Sequence, residues 1–301
     1  MNTFSRVATA FVLGVALQGG VYFYLDHYYL APTSDFTVSG TSDDGDTSAF
    51  DSIKGEGQRY YSYDKTYMAL VTKTSVNIYT AGSDKPIQID LKGREVSYFE
   101  WMPDRDIAIM GLYGGDSDDV VLARVDPQNP DHEADTTISD LPEGSEIDDV
   151  AYSTATNVVY MKIKVGDDKY RIYRTDANYD TRRVYMQASD IGRIAVFYDK
   201  DLFFYDNART NDVFMFNGEE GGWRVINPPG AYRLVGVDKD QNIYIAKMND
   251  DEKVVSVSRG KLGVGFKVVE TFDTPTDLSE VTVASVEKSM KDNGNSNDYD
   301  K

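Results

Sequence analysis

The residue types that most often carry catalysis are scarce in this chain of 301 residues, which has two histidines and no cysteine. His27 lies among tyrosines near the N-terminus, and His132 lies in the polar stretch 126–135. Neither has a second histidine close in sequence, so the spacing supports neither a histidine metal site nor a Ser-His-Asp triad. Without cysteine there are no disulfides, thiolate nucleophiles or cysteine-ligated zinc ions.

Carboxylates are abundant by contrast, and several occur in clusters. The clusters are Asp43/Asp44/Asp46, Asp116/Asp118/Asp119, Asp148/Asp149, Asp167/Asp168 and Asp250/Asp251/Glu252. The stretch Asp238-Lys-Asp240-Gln-Asn242 is nearest to a calcium loop, but it lacks the glycine at the sixth position and the glutamate at the twelfth. Turn conformation explains its Asp and Asn residues better than calcium binding does. We therefore expect no cofactor and assign no catalytic, cofactor-binding or metal-binding residue; loop-bound calcium is the alternative.

The charge balance restricts the partners that this chain is expected to bind. Lys and Arg number 31 against 50 Asp and Glu, which gives a net charge of −19. Phosphate backbones repel such a surface, so we expect no nucleic acid partner and favour basic protein surfaces. The glycine-rich stretches 218–222 and 260–265 precede no predicted helix that would hold a phosphate, so we expect no nucleotide either.

The elements that position these residues repeat along the chain. Residues 95–126 contain three predicted strands of one antiparallel sheet, separated by the turns at 103–105 and 114–116. β-Branched and aromatic residues fill the strands, whereas Pro, Gly and Asp end them. With a shorter fourth strand, the pattern occurs five times at a period of about 39–50 residues. The first strands of the units begin near residues 59, 97, 148, 193 and 233.

Five units of four strands predict an all-β fold, namely a five-bladed β-propeller, with six blades as the alternative. A β-sandwich also suits short strands at this spacing, but the units recur as whole sets of four, which favours the propeller. In Trp101-Met-Pro-Asp-Arg-Asp106 the chain resembles the first hairpin of a blade in the TolB-like, YVTN-type β-propellers. This resemblance covers about 58–286; it implies a propeller that tends to bind proteins, and no catalytic residues. The short sequence that those families repeat in every blade is missing, so the blade count stays open.

The N-terminal region predicts a membrane anchor. Residues 7–25 contain no charged side chain, and as a helix they are about 28 Å long, enough to cross the hydrocarbon core. Arg6 precedes the segment and Asp26 follows it, which predicts a cytoplasmic N-terminus and an extracytoplasmic body. A cleaved signal peptide is the alternative. The predicted organisation is a signal-anchor transmembrane helix (1–30), a flexible acidic linker (31–57), the propeller (58–286) and a disordered polar tail (287–301).

Two expectations concern ring closure and function. Residues 280–286 are predicted to pair with the first blade, because an open ring would leave two unpaired sheet edges. The predicted function is that of a non-catalytic protein-binding scaffold or sensor of the cell envelope, tethered by a single pass in the cell membrane, with extracytoplasmic or membrane proteins as partners. The alternative is a carboxylate-based glycoside hydrolase or lyase acting on an envelope polysaccharide, since two acids from different blades leave no local motif.

Overall fold

The computed structural model describes residues 47–130 and 134–292, all of which belong to one compact unit. Within these ranges, twenty β-strands form five antiparallel sheets of four strands each.

The first sheet contains β1 (Gln58–Tyr61), β2 (Tyr67–Thr72), β3 (Ser75–Thr80) and β4 (Ile87–Ile89). The second contains β5 (Glu95–Trp101), β6 (Ala108–Tyr113), β7 (Val120–Val125) and β8 (Ala134–Ile138). The third contains β9 (Glu146–Ser153), β10 (Val158–Gly166), β11 (Lys169–Thr175) and β12 (Thr181–Val184). The fourth contains β13 (Ile191–Val196), β14 (Leu202–Asn207), β15 (Asp212–Asn217) and β16 (Trp223–Val225). The fifth contains β17 (Tyr232–Val237), β18 (Ile243–Met248), β19 (Val254–Lys261) and β20 (Gly265–Thr276).

The first hairpin shows how local sequence determines these elements. Along β2, alternate side chains enter two different apolar clusters, with Met68 on one side of the sheet and Ala69 on the other. The turn before β2 is held by the Asp64 carboxylate, which accepts hydrogen bonds from the backbone N and the hydroxyl of Thr66, both at 2.7 Å. Polar turn residues therefore end one strand, and alternating apolar residues begin the next.

Each sheet is a simple meander in which the strands are hydrogen-bonded in sequence order. The first strands of successive sheets contact one another, β1 with β5, β5 with β9, β9 with β13 and β13 with β17. The first strands are therefore innermost and the fourth strands outermost, which is the arrangement of a β-propeller. The predicted repeat of four-stranded units is confirmed, and the five sheets are consistent with a five-bladed propeller.

Apolar side chains fill the spaces between neighbouring sheets. Between the first two sheets, Ala69 packs in one cluster with Phe99 and Trp101. Between the third and fourth sheets, the rings of Tyr160 and Phe203 are stacked with centroids 4.2 Å apart. Similar clusters join the second sheet to the third and the fourth to the fifth. The sheets are thus held face to face by burial of the side chains that alternate along their strands.

A segment from the N-terminal side covers the outer face of the first sheet. A 3₁₀ turn at Ser48–Phe50 precedes Ile53, and both Phe50 and Ile53 pack on Met68 and Leu70 of β2. These residues fall in the predicted linker, so the last part of that stretch belongs to the propeller. This segment is ordered against the sheet, unlike the flexible linker that was expected, because Phe50 and Ile53 bury apolar surface there.

A helix covers the outer face of the fifth sheet, where a strand was expected. The prediction that residues 280–286 pair with the first blade is wrong: a 3₁₀ turn at Leu278–Glu280 leads into α1 (Val283–Asp292). Val283, Val286 and Met290 of α1 are buried in one cluster with fifth-sheet residues. Their spacing of three and four residues is helical. Residues 287–292, which the sequence analysis places in the polar tail, belong to this helix.

Several predictions concern residues that lie outside the described ranges. These are the anchor at 1–30, the linker residues 31–46, the tail residues 293–301, and both His27 and His132. Among residues 47–130 and 134–292, no helix has the length and hydropathy needed to cross a membrane.

Candidate functional site

One end of the propeller is formed by the turns that follow the first and third strands of each sheet, since alternate connections of a meander share an edge. We call this end the turn face. The turns after the first strands, which we call first-hairpin turns, comprise 62–66, 102–107, 154–157, 197–201 and 238–242. The predicted blade motif at 101–106 forms the second of these turns.

Hydrogen bonds join first-hairpin turns of neighbouring sheets. Between the third and fourth sheets, Ser153 Oγ donates to the carbonyl oxygen of Tyr198 at 2.6 Å. Between the fourth and fifth sheets, Lys200 Nζ donates to Gln241 Oε1 at 2.7 Å, and Gln241 Nε2 donates to Asp199 Oδ2 at 2.8 Å. These bonds fix the turns relative to one another and make this part of the face rigid.

A carboxyl pair joins the turns of the first and second sheets. The carboxyl groups of Asp64 and Asp106 lie close enough to influence each other's ionisation. The hydrogen bond from the Thr66 hydroxyl lowers the pKa of Asp64, whereas burial and the neighbouring carboxylate raise the pKa of Asp106. Of the two carboxyl groups, Asp106 therefore keeps its proton to the higher pH.

Three tyrosines extend from the turn face into solvent. Tyr63, Tyr179 and Tyr198 are 56%, 54% and 49% exposed. Tyr63 and Tyr198 lie in first-hairpin turns, and Tyr179 lies in the turn between β11 and β12. Sequence reasoning did not single them out, because buried and exposed tyrosines have similar polar neighbours in the sequence. Their position in turns is the signal that distinguishes them from the tyrosines inside strands.

The stretch nearest to a calcium loop forms the first-hairpin turn of the fifth sheet. Asp238 is only 8% exposed, and its Oδ1 accepts hydrogen bonds from the backbone N atoms of Asp240 and Asn242, each at 2.9 Å. Its Oδ2 accepts another from Asn242 Nδ2 at 2.6 Å. These are the local contacts of an Asx turn. In the described part of the chain, no three His, Cys, Asp or Glu residues lie together as a metal site.

Three of the predicted carboxylate clusters lie at the end opposite to the turn face. Each follows the second strand of its sheet: Asp116/Asp118/Asp119, Asp167/Asp168 and Asp250/Asp251/Glu252. The fold therefore places these three clusters at the same end of the propeller, although they are far apart in sequence. The Asp148/Asp149 pair lies instead on the inner strand β9, and Asp43/Asp44/Asp46 lies outside the described residues.

Two acids on neighbouring inner strands have altered ionisation. Glu100 on β5 is 6% exposed and accepts a hydrogen bond from the Tyr98 hydroxyl. Burial raises the pKa of Glu100 well above its usual range. Burial also raises the pKa of Asp149 on β9 to about 7, although Lys162 opposes the change. Lys162 Nζ is 2.8 Å from Asp148 Oδ2. At neutral pH, Asp149 is therefore close to its midpoint, whereas burial favours the protonated form of Glu100.

A buried carboxylate, that of Asp201, lies between the third and fourth sheets at the base of a first-hairpin turn. Asp201, which is 4% exposed, accepts hydrogen bonds from the Tyr160 hydroxyl at 2.5 Å and from Arg174 Nη2 at 2.7 Å. A Cβ on Gly218 would lie 2.1 Å from Asp201 Oδ1, so only glycine fits against this carboxylate. Sequence reasoning missed Asp201, because the turn Asp199-Lys200-Asp201 has the composition of any exposed turn.

No protein-family model and no curated protein matches this chain. Solved structures do match it, at low identity. A prolyl endopeptidase is similar with a TM-score of 0.52 and 11% identity, over 75% of this chain and 37% of that one. Dipeptidyl peptidase 4 of Porphyromonas gingivalis is similar with a TM-score of 0.51 and 10% identity, over 75% of this chain and 40% of that one. The chain thus spans less than half the length of these two enzymes.

A third match is the β-propeller domain of Cps50 (Swd1) from Myceliophteria thermophila, with a TM-score of 0.47 and 10% identity over 74% of this chain and 76% of that one. At such identities, structural similarity concerns the fold alone, and one fold supports many functions. The function must therefore be argued from the residues of this chain.

Proposed function

We propose that this protein is a non-catalytic binding module whose turn face holds a partner protein. The observation that supports this most directly is the presence of three half-exposed tyrosines, Tyr63, Tyr179 and Tyr198, on one end of a rigid propeller. Tyrosine is enriched among the residues that contribute most to protein interfaces, since its ring buries a large area at a small cost in rotamer entropy.

The hydrogen bonds between turns favour binding by a face that is already in shape. Ser153, Lys200 and Gln241 fix the turns of the third, fourth and fifth sheets before any partner arrives. A face that needs no ordering on association loses less conformational entropy. The buried contacts of Asp201 add to this rigidity, because they hold the strand that follows Tyr198.

The charge of the protein favours a partner with a basic surface. The chain carries a net charge of −19, and the exposed acids Asp104, Asp199 and Asp240 lie in first-hairpin turns, each next to a cation, Arg105, Lys200 and Lys239 respectively. A basic rim around an aromatic contact area would complement this arrangement and speed association.

The tether is part of the same proposal. A signal anchor at residues 1–30, a linker beginning at residue 31 and a body outside the cytoplasm would hold the propeller near the membrane. Tethering raises the effective concentration of the propeller toward an extracytoplasmic or membrane protein without new contacts. Protease added to intact protoplasts should digest the body if this orientation is correct, and protection of the body would refute it.

Crosslinking and affinity capture through the full-length protein test the binding proposal. We expect a basic protein to be recovered from the membrane fraction of the native host, at a yield that falls as ionic strength rises. In parallel, the same protein is tested for hydrolysis of envelope polysaccharides. Glycan turnover without any protein partner would overturn the proposal.

A second candidate function, glycoside hydrolysis, is favoured by one observation only. Glu100 and Asp149 stand on adjacent inner strands, and the charge of Asp149 contributes to the raised pKa of Glu100. A glycosidase pairs a protonated acid with a second carboxylate, and these two residues offer that pair. Glu100, however, is 6% exposed and is satisfied by Tyr98, which is how a buried structural acid behaves. Hydrolysis abolished by both Glu100→Gln and Asp149→Asn would establish this candidate in place of the first.

A further inference from the structure

A groove of about 320 Å³ lies at the outer edge of the third sheet, at the end opposite to Tyr179. It is lined by Tyr170, Arg171, Arg183, Val184, Tyr185, Met186, Gln187, Ala188 and Ser189. This volume is within the range of small-ligand and side-chain pockets. The groove is independent of the turn face and plays no part in the function proposed above.

The groove is cationic in a strongly acidic protein. The formal charges among its lining residues are those of two arginines, Arg171 and Arg183, whereas the whole chain carries −19. Arg183 is exposed, and its guanidinium lies over the ring of Tyr185 with 4.9 Å between the guanidinium carbon and the ring centroid. This contact orients the guanidinium, and an arginine stacked on a ring can still donate hydrogen bonds from the N–H groups at its edge.

The strand register places these groups on one face of the sheet. Arg183 on β12 is the cross-strand partner of Tyr173 on β11, and Arg171 is two residues before Tyr173. Residues two apart on a strand lie on the same face, so Arg171 and Arg183 lie on the same face of the sheet. Tyr185, which is 74% exposed, continues the same row and provides an aromatic wall.

The back of the groove limits which anion fits. Burial raises the pKa of Tyr170 to about 12, and the neighbouring acids Asp148, Asp168, Asp190 and Glu146 add to this rise. The phenol therefore presents an O–H donor at neutral pH. Lys162, whose Nζ is 4.2 Å from the centroid of the Tyr170 ring, is already paired with Asp148. Two arginines close to four carboxylates favour a singly charged group over phosphate, because the carboxylates repel a doubly charged anion more strongly.

The edge strand favours a peptide as the source of that group. β12 is the outermost strand of its sheet, and no strand of residues 47–130 and 134–292 pairs with its outer edge. An extended peptide would add to this edge through main-chain hydrogen bonds, while alternate side chains enter the groove. We propose that the groove binds an extended acidic peptide segment of a partner protein, with a Glu or Asp carboxylate held by Arg183 and Arg171.

Peptide binding to the purified full-length chain tests this proposal by fluorescence anisotropy. The probe is a labelled eight-residue peptide of alternating Glu and Val, and its control replaces every Glu by Gln. Charge-assisted hydrogen bonds to guanidinium predict that the Glu peptide binds at least about tenfold more tightly. Arg183→Gln and Arg171→Gln should each weaken it by about tenfold or more. Arg182→Gln is the matched control, because it makes the same charge change on the next residue, which faces the opposite side of β12.

Location and ligand class are tested in the same experiment. A photoreactive group on the Glu peptide should crosslink to residues 183–189, and oligogalacturonate or inorganic phosphate should compete poorly. Equal binding of the Glu and Gln peptides to the wild-type protein, or no binding of either, would overturn the proposal whatever the variants show. Strong competition by oligogalacturonate or phosphate, or an Arg182→Gln effect as large as that of Arg183→Gln, would overturn it too.

Discussion

Arg193 Nη1 donates a hydrogen bond to the carbonyl oxygen of Val281 at 2.7 Å, and so joins two residues that are 88 positions apart. Its Nη2 donates to the carbonyl oxygen of Leu278 at 2.6 Å. Arg193 lies on the inner strand of the fourth sheet, whereas Leu278 and Val281 follow the last strand of the fifth. The C-terminal segment is thus held to the inner strands by a side chain, and α1 then covers the fifth sheet.

Truncation after Asp277 should strongly destabilise the protein. The deletion removes Val281, Val283, Val286 and Met290, each at most 5% exposed, and uncovers the fifth sheet. Burial of four such side chains contributes on the order of 5 kcal/mol, so the melting temperature should fall by more than about 10 °C. Truncation after Asp292, which keeps α1, is the control and should melt like the full chain. Equal melting of both truncations would show that α1 does not stabilise the propeller.

Replacement of Asp201 should cost far more stability than replacement of its neighbour Asp199. Asp201→Ala leaves Arg174 and Tyr160 without their buried partner, and breaking a buried ion pair costs about 3–5 kcal/mol. Asp199→Ala, in the same turn, removes only an exposed contact with Gln241 and should cost less than about 1 kcal/mol. Urea unfolding of both variants measures the difference. Similar midpoints would contradict the role given to Asp201.

Asp149 should make stability fall as the pH rises from about 4 to 7. Its pKa in the folded protein is about 7, so in this window the folded chain keeps a proton that the unfolded chain has released. The free energy of unfolding therefore decreases with pH, by at most about 1.4 kcal/mol per unit, and the contribution is constant above pH 7. Asp149→Asn should become more stable relative to wild type across this window.

The measurement is a series of urea unfolding curves from pH 4 to 8 on wild type and Asp149→Asn. Asp167→Asn, which makes the same charge change in an exposed turn, controls for the change in net charge. Parallel pH profiles for wild type and Asp149→Asn would show that Asp149 titrates normally.

Much of the fold could be predicted from the sequence, because the repeat is encoded locally. A strand was expected between the turns at 103–105 and 114–116, and β6 is found there at Ala108–Tyr113, with Asp and Gly in the turns that reverse the chain. The helix α1 was missed because Val281 and Val283 alternate like a strand, and only the longer series to Met290 reveals the helical spacing. A short apolar run suits either structure until its surroundings decide.

The candidate sites were harder to predict, since they depend on which repeats become neighbours. Asp201 and Arg174 are 27 residues apart and meet only because the third and fourth sheets pack face to face. Likewise, only its position in a turn distinguishes the exposed Tyr198 from Tyr205, which lies in β14 and is fully buried. The carboxylate clusters were visible in the sequence, but their common location followed only from strand order.

The most direct test of the turn-face proposal compares partner capture by three variants of the full-length protein. Tyr63→Ser and Tyr198→Ser each remove one exposed turn-face ring, whereas Tyr185→Ser removes an even more exposed ring at the opposite end. After crosslinking and identification of the captured protein, its affinity for each purified variant is measured by calorimetry. Interface tyrosines often contribute 2 kcal/mol or more, so each turn-face variant should bind about thirtyfold more weakly, and Tyr185→Ser should bind like wild type. Unchanged affinity in both turn-face variants, or a loss confined to Tyr185→Ser, would contradict the account.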